Sequence, residues 1–213
     1  VKLTIVYDNE VRKRGLKSAW GFSALVEIGH ASPILFDTGG DGSILLHNMR
    51  ELGIDAGMIG TIVISHAHGD HTGGLWSILE VNGNAEIYVP SSVRTNLPGR
   101  IVTAVTGPMQ ICTGVFSTGE LKGIEQSLAL RTKKGIVVLT GCSHPGVNEI
   151  LQVASRFGKV YGIVGGLHGF HDFGSLRYLP LICPCHCTQY KSEILRLFPD
   201  NCKECGAGVT LEF

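Results

Sequence analysis

The chain has 213 residues, 44% of them hydrophobic and 17% charged, with 18 basic side chains against 18 acidic ones and a formal net charge of zero. That apolar content supports a substantial core and argues against disorder, and the even charge balance offers no electrostatic footprint for a polyanion, so nucleic acid is not an expected partner. No apolar run reaches the ~18 residues of a membrane span and no charged-then-apolar leader opens the sequence, so the expectation is a single cytoplasmic domain over residues 1–213, with no membrane partner.

Strand-like runs at residues 3–7, 22–28 and 34–36 come first, followed by a helix over 42–52. Residues 61–65 read as a buried strand, 74–80 as a helix and 86–89 as another strand. The stretch from 90 to 123 is irregular and predicts loops with some short strands. Strands at 128–131 and 136–140 precede a helix over 147–157, in which Val147, Ile150, Leu151, Ala154 and Phe157 form one apolar stripe suited to packing on a sheet. A strand at 159–164, a helix at 192–198 and a strand at 209–213 close the chain. Strands followed by helix–strand units, twice over, suit two sheets between outer helices rather than a doubly wound fold. The 29 glycines fit many tight turns between short elements.

The chemistry concentrates where the 61–65 strand runs into His66-Ala67-His68-Gly69-Asp70-His71. Imidazole nitrogens and carboxylate oxygens are the ligands that zinc and similar divalent ions take. Four of them at the end of one strand are positioned before any metal arrives, and Gly69, Gly73 and Gly74 let the backbone fold back. A chance histidine-rich loop is the plainer alternative, and the tight spacing disfavours it. Ser143 beside His144 does not make a nucleophile pair, because no G-x-S-x-G turn is present. His30 and His47 read as structural. Asp37 could cap the helix that begins near Asp41.

On these residues the chain resembles the metallo-β-lactamase superfamily, whose H-x-H-x-D-H signature stands as His66, His68, Asp70 and His71. The stretches Leu35-Phe36-Asp37-Thr38-Gly39, Gly141-Cys142-Ser143-His144 and Pro184-Cys185-His186-Cys187-Thr188 extend the likeness over nearly the whole chain. The resemblance implies an α/β fold, a four-layer αββα sandwich. It implies two divalent metal ions, one on His66, His68 and His144 and the other on Asp70, His71 and His186, with Asp37 orienting a ligand from behind. Zinc leads the candidates, and such ligands also accept manganese, iron, cobalt or nickel. More narrowly, Val6-Tyr7-Asp8-Asn9, Trp20-Gly21-Phe22-Ser23, Glu125-Gln126-Ser127-Leu128 and Gly165-Gly166-Leu167-His168 resemble the branch of dihydropterin–ribofuranosylaminobenzene phosphate synthases and metal-dependent hydrolases.

One departure stands out. Many superfamily members carry a bridging aspartate some twenty residues after the His144 position, whereas this chain has His168 there. His168 is therefore a candidate for metal binding or substrate contact and, with Asp70, for a catalytic role; His171 reads as a loop histidine. With Asp70 as the sole carboxylate, the pocket would be strongly positive, which favours an anionic, phosphate-bearing small molecule. The expected activity is hydrolysis by metal-activated water. The alternatives are a metal-dependent transferase joining a dihydropterin diphosphate to ribofuranosylaminobenzene phosphate, or a non-catalytic metal-binding protein. Near the C-terminus, Cys183 and Cys185 with Cys202 and Cys205 would make a four-thiolate structural zinc site. A disulfide, an iron–sulfur centre and simple burial are the other readings.

Overall fold

The computed structural model describes residues 1–213. Its strands are β1 (Lys2–Tyr7), β2 (Ser23–Glu27), β3 (Ile34–Phe36), β4 (Thr61–Val63), β5 (Glu86–Pro90), β6 (Val102–Val105), β7 (Met109–Cys112), β8 (Val115–Ser117), β9 (Leu128–Thr132), β10 (Gly135–Thr140), β11 (Val160–Gly166), β12 (Leu181–Cys185) and β13 (Thr210–Glu212). The helices are α1 (Gly42–Glu51), α2 (Gly69–Thr72), α3 (Leu75–Val81), α4 (Val147–Ala154) and α5 (Lys191–Leu197). One sheet runs β13-β1-β2-β3-β4-β5-β6 and the other β12-β11-β10-β9-β8-β7.

Alternation along the strands explains the layering. In β3, Ile34 and Phe36 face the other sheet while Leu35 faces outward; in β10, Val137 and Leu139 face inward while Ile136 and Val138 face outward. The inward residues of both sheets form one buried cluster with Leu3, Ile5, Val63, Leu128 and Val164. On the outer face of the first sheet, Leu35, Ile62 and Ile87 pack with Leu45 and Met49 of α1 and Ile78 of α3. On the second, Ile136, Val138 and Ile163 pack with Val147 and Ile150 of α4 and Ile194 of α5. The result is the α/β sandwich of four layers, αββα, that the sequence implied. Both faces of each sheet are covered, which is why these strands read as near-continuous apolar runs.

The short strands anticipated between 90 and 123 are β6, β7 and β8. β12 had no counterpart in the sequence reading. Pro184 lies inside it, and proline is tolerated because β12 ends its sheet. The helix expected over 147–157 is α4 continued by a 3-10 turn, Ser155–Phe157. The cap of α1 is Asp41, whose carboxylate accepts from the amides of Ser43 and Ile44; Asp37 takes no part in it. No helix is long and apolar enough to cross a membrane.

Strands β3 to β6 run parallel to one another, as do β10, β11 and β12. Their carboxyl ends deliver the loops that begin at Asp37, Ile64, Gly141, Leu167 and His186. Crevices at the carboxyl ends of parallel strands are the usual binding positions of α/β sheets.

Candidate metal centre

Asp37 sits just past β3 in a left-handed conformation, φ 57°, and is fully buried. Its Oδ1 accepts from the Ser65 amide and its Oδ2 from the Ser65 hydroxyl, each at 2.7 Å. His71 Nδ1 lies 2.7 Å from the same Oδ2, and His66 Nδ1 lies 2.8 Å from the Ser65 hydroxyl. One carboxylate thus engages Nδ1 of two histidines, one directly and one through Ser65, and turns their Nε2 atoms toward the other donors, that of His66 lying 3.1 Å from His68 Nδ1 and that of His71 3.7 Å from Asp70 Oδ2. Burial works against a charged His71 ring, but Asp37, Asp70 and Glu125 outweigh it and hold its pKa above the ordinary value. For His66, burial and then the neighbouring rings of His71, His144 and His68 push the pKa far down, so this imidazole is neutral. Neutral imidazole is the form that binds a metal.

The turn that carries the histidines packs closely on the β3 loop. A Cβ on Gly74 would lie 2.3 Å from the Thr38 carbonyl oxygen, so only glycine fits there. His68 occupies the position before α2, and Asp70 and His71 lie in its single turn.

A second buried carboxylate holds the loop after β10. Glu125 is fully buried; its Oε1 accepts from the amides of Gly141, Cys142 and Ser143 at 2.9–3.1 Å, and its Oε2 from the His144 amide at 2.9 Å. Four successive N–H groups converge on one side chain, a nest built around an internal anion. They satisfy the buried charge and fix His144. The sequence reading had Glu125 only as part of a family-like stretch, because a lone glutamate carries no spacing signal.

His186 follows β12 with φ 46°. Its amide donates to Asp8 Oδ1 at 3.1 Å, and its Nδ1 lies 3.0 Å from Asn9 Oδ1. Nε2 is left facing Asp70 Oδ2 at 3.1 Å. Burial, followed by repulsion from His71, lowers the His186 pKa to about 4. Burial raises that of Asp8 to about 6. The Trp20 ring lies 5.0 Å from that of His186.

These supports bring His66, His68 and His144 together, and separately Asp70, His71 and His186; within each set the ligand atoms lie within 4.8 Å of one another. The residues fit divalent cations on two further counts. The Nε2 atom of His144 is buried without a hydrogen-bond partner, and that of His186 makes no hydrogen bond although Asp70 Oδ2 lies 3.1 Å away; buried polar atoms are rarely left so. Both sets offer borderline imidazole nitrogens at ligand spacing, and the second adds a carboxylate oxygen.

His168 takes a different position. Its backbone is left-handed at φ 44°, it is exposed, and its ring lies 5.0 Å from that of His144, outside both sets. His171 sits on an exposed loop with Nδ1 against the Gly169 carbonyl. Two residues overlooked from sequence enter the site. Cys142 Sγ lies 3.2 Å from His71 Nε2, and the Cys187 thiol donates to the Cys142 carbonyl at 3.9 Å. Each immediately follows or precedes a residue of the motifs, in Gly-Cys-Ser-His and His-Cys-Thr, and that adjacency was the available signal.

The four-thiolate zinc site does not form. Cys185 and Cys205 are joined as a disulfide, and their sulfurs are thereby unavailable as a thiolate pair. Cys183 is buried beside them, its thiol pushed up to about 12 by burial, whereas Cys202 hydrogen-bonds the Ile194 carbonyl and stands outside the group.

Residues 21–110 match the family model of the metallo-beta-lactamase superfamily. It is similar to the 7,8-dihydropterin-6-methyl-4-(beta-D-ribofuranosyl)-aminobenzene-5'-phosphate synthase of Methanocaldococcus jannaschii, at 27% identity over 92% of this chain and 90% of that protein. Among solved structures it is similar to Tm1679, described as a metal-dependent hydrolase of the beta-lactamase superfamily. That match has a TM-score of 0.79 and 27% identity, and covers 100% of this chain and 98% of the other. The metallo-beta-lactamase fold protein YhfI of Bacillus subtilis matches with a TM-score of 0.68 and 13% identity over 100% and 99% of the two chains. These matches agree with the four-layer fold.

Proposed function

We propose that the chain is a metal-dependent hydrolase that uses metal-activated water on an anionic, phosphate-bearing small molecule. The observation that carries this reading is the convergence of two three-residue donor sets from separated strand ends. His66, His68 and His144 would hold one divalent ion and Asp70, His71 and His186 a second. Such a pair, when bound, lowers the pKa of water toward ~7 and takes up charge developing on a phosphoryl oxygen.

The chain's own residues supply the rest. Asp37 and Ser65 occupy Nδ1 of His71 and His66, so that Nε2 of each is the atom that would meet a metal. Asp70 is partly exposed, and the neighbouring His71 and His186 outweigh its burial and keep its pKa low, so it is ionised, the form in which a carboxylate would hold the second cation. His168 stands at the exposed mouth beside His144 and would contact the substrate phosphate or protonate the leaving group. A groove of about 410 Å³, lined by Ala67, Thr72, Trp76, Ser92 and Arg94, adjoins the histidine turn. Arg94 gives that groove a cation suited to a phosphate.

The transferase reading rests on the 27% identity to the M. jannaschii synthase over most of both chains. There the same donor sets would stabilise a departing diphosphate. A panel of phosphodiesters, diphosphates, lactones and thioesters, run with added zinc or manganese, tests the hydrolase reading; preference for the uncharged esters would count against it. Condensation of a dihydropterin diphosphate with ribofuranosylaminobenzene phosphate, without release of the free pterin alcohol, would favour the synthase. Metal binding with no turnover in either assay would leave a non-catalytic metal protein.

A further inference from the structure

The groove of about 410 Å³ beside the histidine turn has a composition of its own. It lies where that turn, the start of α3 and the loop after β5 meet. Its floor is apolar and buried, with Ile64, Leu75 and Val89 each no more than 8% exposed. Trp76 borders that floor. Helix α3 buries Leu75, Ile78 and Leu79 at helical spacing against the first sheet, which turns Trp76 out of the core and leaves it 60% exposed. A tryptophan held at the surface beside an apolar floor offers the flat face on which aromatic rings stack.

Arg94 is the one charged residue among those that line the groove, and it is exposed on the loop after β5. Ser92 and Thr95 bring hydroxyls from the same loop. The nearby Glu120 accepts from the Ser91 hydroxyl and the Ser92 amide, so neutral donors engage its carboxylate. A guanidinium flanked by hydroxyls suits a phosphate group. An apolar floor with a few polar groups is also the usual make-up of small-molecule sites, whose volumes run from ~300 to 1,000 Å³. Ala67, between His66 and His68, and Thr72, next to His71, line the same groove. A molecule lying there therefore touches the turn that carries the histidines.

We propose that this groove binds the aromatic, phosphate-bearing part of the substrate, with the ring against Trp76 over the apolar floor and the phosphate paired with Arg94. That the ligand is the substrate rests on the hydrolase reading above; the binding itself uses none of the donor atoms of the metal centre. A saturated ring of similar size covers the floor but cannot stack, and inorganic phosphate meets Arg94 alone.

Titration of the whole chain with phenyl phosphate and with cyclohexyl phosphate, followed by NMR before and after treatment with a chelator, tests this. The chain has 2 tryptophans, so Trp20→Phe assigns the indole N–H signal of Trp76. Phenyl phosphate should shift that signal saturably, with or without chelator, and bind roughly threefold to tenfold more tightly than cyclohexyl phosphate. Trp76→Leu should erase the preference, and Arg94→Gln should weaken both phosphates about tenfold. Equal affinity for the two phosphates in the unaltered chain overturns the inference, as does a preference that survives Trp76→Leu or an affinity indifferent to Arg94→Gln. Binding that vanishes with the chelator also overturns it, since the ligand would then sit on the metals, and leaves the hydrolase reading standing. Groove binding in a chain that hydrolyses no phosphate ester keeps the groove and overturns the hydrolase reading instead.

Discussion

At the scale of single residues, the site depends on carboxylates that never reach the reaction. Asp37 holds His71 directly and His66 through Ser65, so Asp37→Asn keeps the shape while removing the charge that favours protonated Nδ1. Partners of this kind typically contribute 10–100-fold in metal affinity or activity. Competition with a chromogenic chelator should show roughly that loss in Asp37→Asn, and unchanged affinity would remove Asp37 from the account. His186 makes a second test. Its pKa falls from 6.5 to about 4, so neutral His186 adds stability above pH 6.5 that is lost as pH falls through about 4. Titration of the ring carbons by NMR in the metal-free protein should give a midpoint near 4; a midpoint at or above 6.5 would contradict the burial that causes the shift. The H-x-H-x-D-H residues, His144, His186 and Asp37 were legible because each sits in a short motif at a strand end. Glu125 and Cys142 were not, since their roles arise only when β8–β10 and the histidine turn are brought together in space.

At the scale of elements, the strands were easier to read than the turns between them. Runs such as residues 34–36 and 136–140 are apolar on both faces because each sheet is covered on both sides. The short β6, β7 and β8 have mixed, half-buried patterns that give no period of two, and Pro184 hid β12. A disulfide was one of several open readings of the C-terminal cysteines, and the pair Cys185–Cys205 emerges only from the fold, because spacing cannot say which cysteines come together. Helix α1 offers a clean energetic test. Asp41 accepts from Ser43 and Ile44 at an exposed N-terminus, so Asp41→Ala should cost about 1 kcal/mol in chemical denaturation. Metal affinity should stay the same, since Asp41 touches no ligand; a change would mean that α1 helps set the β3 loop.

At the scale of the molecule, the two sheets place their parallel strands so that loops from both end around one crevice. The first sheet brings Asp37 and the histidine turn, the second brings His144, His168 and His186, and β1 supplies Asp8 and Asn9 behind His186. Ligands drawn from both sheets mean that an ion in the crevice ties the halves of the sandwich together. Binding to the folded state alone adds RT ln(1 + [L]/Kd), about 2.7 kcal/mol at a hundredfold excess over Kd. Chelation should therefore lower the melting temperature, and zinc should restore it; a melting temperature indifferent to both would argue that the crevice binds no ion. The most direct test of the whole account is a crystal structure of the zinc-loaded protein with anomalous data collected at the zinc edge. Two peaks are expected, one at ~2.0–2.2 Å from nitrogens of His66, His68 and His144, and one at the same range from Asp70, His71 and His186. An empty crevice under saturating zinc, or zinc bound only at other residues, would contradict it.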